Sequence, residues 1–134
     1  MASKVNKITI NGCSNKTSKL IEIAIETAET GHLVMGTLHT STAASTVERI
    51  IQQFPEGKQA QIRQMLAGSL KGVVAQTLIK KATGKGRVAA LEVLVGNHAI
   101  SAQIREGKTH QITSSMQMGS KEGMILLNDA LFKL

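Results

Sequence analysis

Between Gly31 and Thr40 lies the run Leu33-Val34-Met35-Gly36-Thr37-Leu38, apolar almost throughout and too short to be a helix. A run of that kind, bounded by breakers, predicts a strand covered on both faces, as in a parallel sheet. Its flanks agree. From Ser18 to Thr30, Ile21, Ala24, Ile25 and Ala28 recur at helical spacing, and Gly31 stands where a left-handed cap belongs. After the run, Thr40, Ser41 and Thr42 are candidate caps for a helix carrying Ala43, Val47, Ile50, Ile51 and Phe54, which Pro55 ends.

Upstream, Val5, Ile8 and Ile10 followed by Asn11-Gly12 suggest a short strand or extended arm over Lys4 to Cys13. Downstream, Ile62, Met65, Leu66, Leu70 and Val73 predict a helix from about Lys58 to Gln76, weakened by Gly68 and Gly72. Thr77 to Lys81 and Arg87 to Val95 are β-prone runs flanking Ala82-Thr83-Gly84-Lys85-Gly86, the pattern of a hairpin. Short helices are expected over Ala99 to Glu106, Thr109 to Met118 and Lys121 to Leu131. The class is therefore α/β with a helical carboxy-terminal subdomain. One apolar strand and one hairpin make a poor sheet, so the chain reads like part of a larger one.

The 134 residues suffice for one compact domain. No apolar run approaches the ~20 residues of a membrane helix, and no signal-peptide stretch follows Met1, so the expected location is cytoplasmic. The single cysteine, Cys13, excludes an internal disulfide and a multi-cysteine zinc site. The net charge of +7 is unevenly spread, because Lys4, Lys7, Lys16 and Lys19 all precede the first acid, Glu22. Only that leader could attract nucleic acid. With Phe54 and Phe132 as the only aromatic residues, the chain lacks the stacking surfaces of single-strand binders, and nucleic acid is not the expected partner.

The stretch Glu29-Thr30-Gly31-His32-Leu33-Val34-Met35-Gly36-Thr37-Leu38-His39-Thr40 resembles the histidine box of secretion and pilus ATPases, a Gly-His-Leu followed shortly by Thr-Leu-His-Thr. The likeness continues through Ala43 to Ile50, Phe54-Pro55, Gln76 to Ile79 and Gly86 to Ala90, and spans Ile21 to Leu134. Within that superfamily the absence of a four-cysteine zinc insert favours the type IV pilus retraction (PilT-like) ATPases of twitching motility. Their helical motif Ala-Ile-Arg-Asn-Leu-Ile-Arg-Glu is matched at its ends by Ala99-Ile100-Ser101-Ala102-Gln103-Ile104-Arg105-Glu106.

The resemblance implies the carboxy-terminal half of a RecA-like (P-loop NTPase) domain working in a hexamer with ATP and magnesium. It places His39 first, then His32, with Thr37 and Thr40, near the nucleotide γ-phosphate, and Ala99, Ile100, Ile104, Arg105 and Glu106 in the motor helix. An imidazole at a strand end can donate to phosphate oxygens and change charge near neutral pH. The plainer alternative for each histidine is a hydrogen-bonded structural role. Zinc is not expected, because residues an odd number apart on a strand face opposite ways and neither His98 nor His110 completes a set.

Parts of the family pattern are missing. The 134 residues contain no Gly-x-x-x-x-Gly-Lys-Ser/Thr loop, and Gly84-Lys85-Gly86 reads as hairpin because no helix start follows it. Aligned without gaps, the Walker B stretch falls on Cys13 to Thr17, with Ser14 at the catalytic glutamate position and Thr17 at the aspartate. No catalytic set is intact. The expected division is a leader over 1–17 unrelated to the family and a PilT-like portion over 18–134, binding no nucleotide alone. Its expected partners are copies of itself or full-length motor subunits, near an inner-membrane pilus platform. Alternatives are a non-enzymatic module of a motor ring, or a small basic binder of nucleic acid or an acidic protein.

Overall fold

The computed structural model describes residues 5–9 and 15–133, with side chains from Thr17 onward. Strand β1 (Val5–Thr9) leads to helix α1 (Asn15–Glu29) and strand β2 (Leu33–Thr37), and β1 pairs with β2 in parallel, Val5 opposite Leu33 and Thr9 opposite Thr37. Helices α2 (Ala43–Gln52) and α3 (Glu56–Ser69) follow, then the antiparallel pair β3 (Gly72–Lys80) and β4 (Arg87–Val95), in register from Gly72 opposite Val95 to Lys80 opposite Arg87. Helix α4 (His98–Arg105), a 3-10 turn at Thr109–Gln111, α5 (Ile112–Met118), a second turn at Gly119–Glu122 and α6 (Leu127–Phe132) complete the helical layer.

α1 ends as its sequence requires. Gly31 has φ +91°, its N–H bonds to Ala28 O at 3.1 Å, and the His32 N–H reaches Thr27 O at 3.4 Å, which together turn the chain into β2. α1 contributes Ile21 and Ile25 to a core shared with Val47 and Ile51 of α2, Ile62 and Leu66 of α3, Leu94 of β4, and Ile100, Ile104, Ile112 and Met116 of the later helices. α2 ends at Gln52 with Gln53 as its C-cap, and Pro55 is the N-cap of α3.

The structure corrects several expectations. The helix expected over Lys58 to Gln76 ends at Ser69, and β3 begins at Gly72. Val73, Val74, Thr77 and Ile79 pack better as a pleated strand, and a nine-residue pairing with β4 outweighs the helical spacing of Leu70 and Val73. Gly96 secures the turnover: its N–H bonds to Lys71 O at 2.9 Å, and a Cβ there would collide with the Leu70 carbonyl. The helix expected over Lys121 to Leu131 starts only at Leu127, because Gly123 (φ +88°) stops the preceding turn and Ile125 forms a bridge with Val93. The Thr109 to Met118 helix begins as a 3-10 turn and becomes α-helical from Ile112.

The expected double burial of β2 is not met. Leu33 is 45% and Met35 56% exposed, so a parallel-type strand stands with little cover among the described residues. Part of the expected extended arm appears as β1, whereas Ile10 to Ser14, including the Ser14 position, lies outside the described residues. Among the described residues no helix is long and apolar enough to cross a membrane.

Candidate nucleotide-facing site

The loop from β2 into α2 is held by a closed set of hydroxyls. Thr42 is the N-cap: its Oγ1 accepts the Ser45 N–H at 3.2 Å, and Ser45 Oγ returns a bond from the Thr42 N–H at 3.3 Å. The Thr46 hydroxyl donates to Thr42 O at 2.7 Å. Its single proton thus used, it accepts from Thr40 Oγ1 at 2.6 Å. Thr40 is thereby tied to the first turn of α2.

His39 is left exposed on this pinned loop, lining an open groove of about 740 Å³. Ser41, Ser45, Glu48 and Arg49 line one side, with Gln76 and Thr77 of β3 opposite. The site offers an imidazole, hydroxyls and side-chain amides, with an exposed carboxylate and guanidinium further along α2. Thr37, the last residue of β2, is also exposed.

His32 lies at the other end of β2. Its Nδ1 is 3.0 Å from Thr30 Oγ1, whose own proton goes to Thr27 O at 2.7 Å, so Nδ1 is the donor. Six residues, five of them in β2, separate His32 from His39, up to roughly 23 Å at the usual rise. The two flank β2 instead of lying on it, so strand length separates them more than facing does. Among the described residues no group of three or more His, Cys, Asp or Glu side chains could hold a metal.

The α4 candidates occupy a separate place. Asn97 caps the helix, accepting the Ile100 N–H at 3.0 Å, and Ile100 and Ile104 are buried in the core. Arg105 Nε donates to Gln64 Oε1 at 3.0 Å, and Ser101 Oγ donates to Ala67 O at 2.7 Å, so both bind α4 to α3. Ala99 is exposed. Lys108 Nζ lies 2.7 Å from Glu106 Oε2 and, by hydrogen bond first and charge second, holds this exposed carboxyl below its usual range. Gly84 and Gly86 have φ +73° and +85° in the β3–β4 hairpin, and Lys81 N–H bonds to Gly86 O at 3.2 Å, a turn and not a phosphate loop.

Sequence reasoning missed Glu92, which is 6% exposed. Its Oε1 accepts the Ala43 N–H at 2.6 Å and its Oε2 the Leu127 N–H at 3.2 Å, so one carboxylate ties the starts of α2 and α6 to β4. Both helix starts present unpaired N–H groups and positive dipole ends, which suit an anionic acceptor. Its signal was present in the sequence: alternation puts Glu92 on the same face as Ala90 and Leu94, both buried.

The family described as "Type II/IV secretion system protein" has a model that matches residues 16–128. The chain belongs to this family. A twitching motility protein of Neisseria gonorrhoeae is 47% identical over 114 residues, covering 85% of this secretion-family chain and 30% of the relative. The type IV pilus retraction ATPase PilT of Pseudomonas aeruginosa is 50% identical over 111 residues, covering 83% and 32%. A crystal structure of the pilus retraction motor PilT with bound ADP superposes with a TM-score of 0.71 at 42% identity, covering 93% of this chain and 38% of that one. The secretion-family chain thus spans about a third of the length of the curated relatives it matches. Its α/β architecture is part of the retraction-motor fold, as the histidine-box resemblance implied.

Proposed function

We propose that this chain is the portion of a PilT-like retraction ATPase that carries the γ-phosphate-facing histidine loop and the helical layer behind it. The single observation that carries the reading is His39, exposed and lining a groove on a loop whose Thr40, Thr42, Ser45 and Thr46 hydroxyls are already committed. ATP with magnesium is the proposed nucleotide, since a PilT structure like this one holds ADP. The residues present do not fit a whole nucleotide. Thr40, Thr42 and Thr46 spend their protons within the loop, and the sequence has no Gly-x-x-x-x-Gly-Lys-Ser/Thr loop to cradle phosphates. What the chain offers is one edge of a site: a positioned imidazole able to donate to an oxygen held by groups outside it.

His32, bonded to Thr30, fits a structural role at the α1–β2 turn. The remaining family candidates, Ile100, Ile104 and Arg105, hold α4 in place, and Glu106 sits beside Lys108. The division into a leader over 1–17 and a family portion over 18–134 belongs to the same proposal, together with motor subunits as partners and a place beside a membrane-borne pilus machine.

The isolated chain is expected to release no phosphate from magnesium ATP, because positioning and charge stabilisation dominate phosphoryl transfer, and losing one positioned donor alone costs a factor of ~100 or more. Transplanted into an intact motor, residues 21–134 should support turnover, with His39→Ala reducing it well beyond His98→Ala. Equal losses would reduce His39 to a structural histidine. Turnover by the pure isolated chain that vanishes with His39→Ala would overturn the need for outside groups.

A further inference from the structure

The carboxylate of Glu92 holds two helix starts at once, and the two are held differently. Its Oε1 takes the Ala43 N–H at 2.6 Å and its Oε2 the Leu127 N–H at 3.2 Å, so each oxygen serves the first residue of one helix. α2 has a cap of its own besides: Thr42 and Ser45 exchange bonds there, and Thr40 is tied to Thr46. α6 has none, because its N-cap residue, Leu126, makes no side-chain bond to the helix. Just before α6, the Ile125 N–H bonds to Val93 O at 2.9 Å, the Val93 N–H bonds to Ile125 O at 2.8 Å, and Gly123 has φ +88°. α6 is thus a six-residue arm hung from β4 at Ile125, with the Glu92 carboxylate on its first N–H.

We propose that Glu92 is a positioning residue that couples the histidine loop to α6, so that a shift of one is passed to the other. For turnover this rests on reading His39 as the γ-phosphate-facing group. The two oxygens of a carboxylate keep a fixed separation, and Glu92 is only 6% exposed, so water does not readily replace either donor. A displacement of Ala43 therefore either carries Leu127 with it or leaves a largely buried N–H and a carboxylate oxygen unpaired, which folded proteins avoid. Coupling of this kind is reciprocal: whatever holds α6 in place also holds the start of α2, and with it Thr40 beside His39. The loop end carries more bonds than the α6 end, so α6 is the member that yields. Its last residue, Phe132, is 91% exposed, so the movement reaches the surface.

Proline at the first position of a helix deletes the N–H there while suiting the helix, and Leu126, at φ −80° and ψ 150°, already has the backbone that a following proline requires. The test is Leu127→Pro, read against Leu127→Ala, which shortens the same side chain and keeps the N–H. Hydrogen exchange of the full chain comes first, with amides of 100–105, in the core-facing α4, as the measure of global opening. Relative to those amides, Leu127→Pro should speed exchange over 43–46 at least about threefold more than Leu127→Ala does, and Thr42→Ala, acting from the other side, should speed exchange of the Leu127 amide by a like factor. Exchange over 43–46 that is the same in the two Leu127 variants overturns the coupling, whatever the nucleotide reading. If Leu127→Pro fails to fold, Glu92→Gln carries the comparison: its single oxygen cannot serve both N–H groups as before, so 43–46 or 127–130 should exchange faster, and parent-like protection of both overturns the proposal. In the transplanted motor, Leu127→Pro should lower kcat at least about threefold against Leu127→Ala with KM for ATP within about twofold, and should lower it no further once His39→Ala is present. A kcat loss that adds in full to that of His39→Ala would make Glu92 a structural anchor alone and overturn its positioning role. Coupled exchange in the chain, beside a transplant that is dead without any substitution, leaves the coupling standing and removes the retraction-motor reading.

Discussion

Glu92 shows how one residue can organise a site that it does not line. Its carboxylate caps the first turns of α2 and α6, and α2 begins three residues after Thr40, so the histidine loop inherits its position from β4 through this contact. Glu92→Leu would leave two largely buried N–H groups without acceptors and should destabilise the chain by roughly 2–4 kcal/mol. Glu92→Gln keeps one oxygen acceptor and should lose about 1–2 kcal/mol. Urea unfolding midpoints should fall in that order; equal midpoints for all three proteins would show that the helix starts find other acceptors. Glu106 contrasts with this. Its folded value is lowered by Lys108, so any stability it adds is present above its unfolded value and fades as pH falls through the folded one, but an exposed pair contributes little.

Among the elements, α2 is the one whose start holds the histidine loop. Thr40, Ser41 and Thr42 were equivalent cap candidates by sequence, and the structure selects Thr42, with Thr40 bound one turn up to Thr46. Thr42→Ala should cost about 0.5–2 kcal/mol, and Thr42→Asn should restore most of it, because Asn caps equally well. Thermal unfolding of the three proteins checks the order. An alanine variant as stable as the parent would mean that the Glu92 contact alone fixes the helix start. The misassigned stretch at Leu70 to Gln76 has the opposite lesson: Leu70 and Val73 do pack against the core, as a helical spacing would have them, yet from Gly72 onward the backbone is extended because it pairs with β4.

For the molecule as a whole, the helical layer is a finished core and the two sheets are not. Ile100, Ile104, Ile112 and Met116 are each no more than 1% exposed, whereas β2 stands open. Alone at micromolar concentration the chain should therefore associate with itself, seen in ultracentrifugation as mass above that of a monomer. A clean monomer with sharp, cooperative unfolding would show that the open edges are satisfied by water without penalty.

The sequence by itself determined the family, the α1 cap at Gly31 and the extent of β4, because each depends on local chemistry: a motif read in order, a left-handed glycine, alternation of side chains. The end of α3, the late start of α6 and the role of Glu92 were decided only by tertiary structure. Each depends on a partner distant in sequence: β4 for residues 72–80, Val93 for Ile125, and the helix starts at Ala43 and Leu127 for one buried carboxylate. Local propensity ranks conformations of a segment by small differences, and a nine-residue ladder or a buried charge-assisted bond is large enough to reverse the ranking.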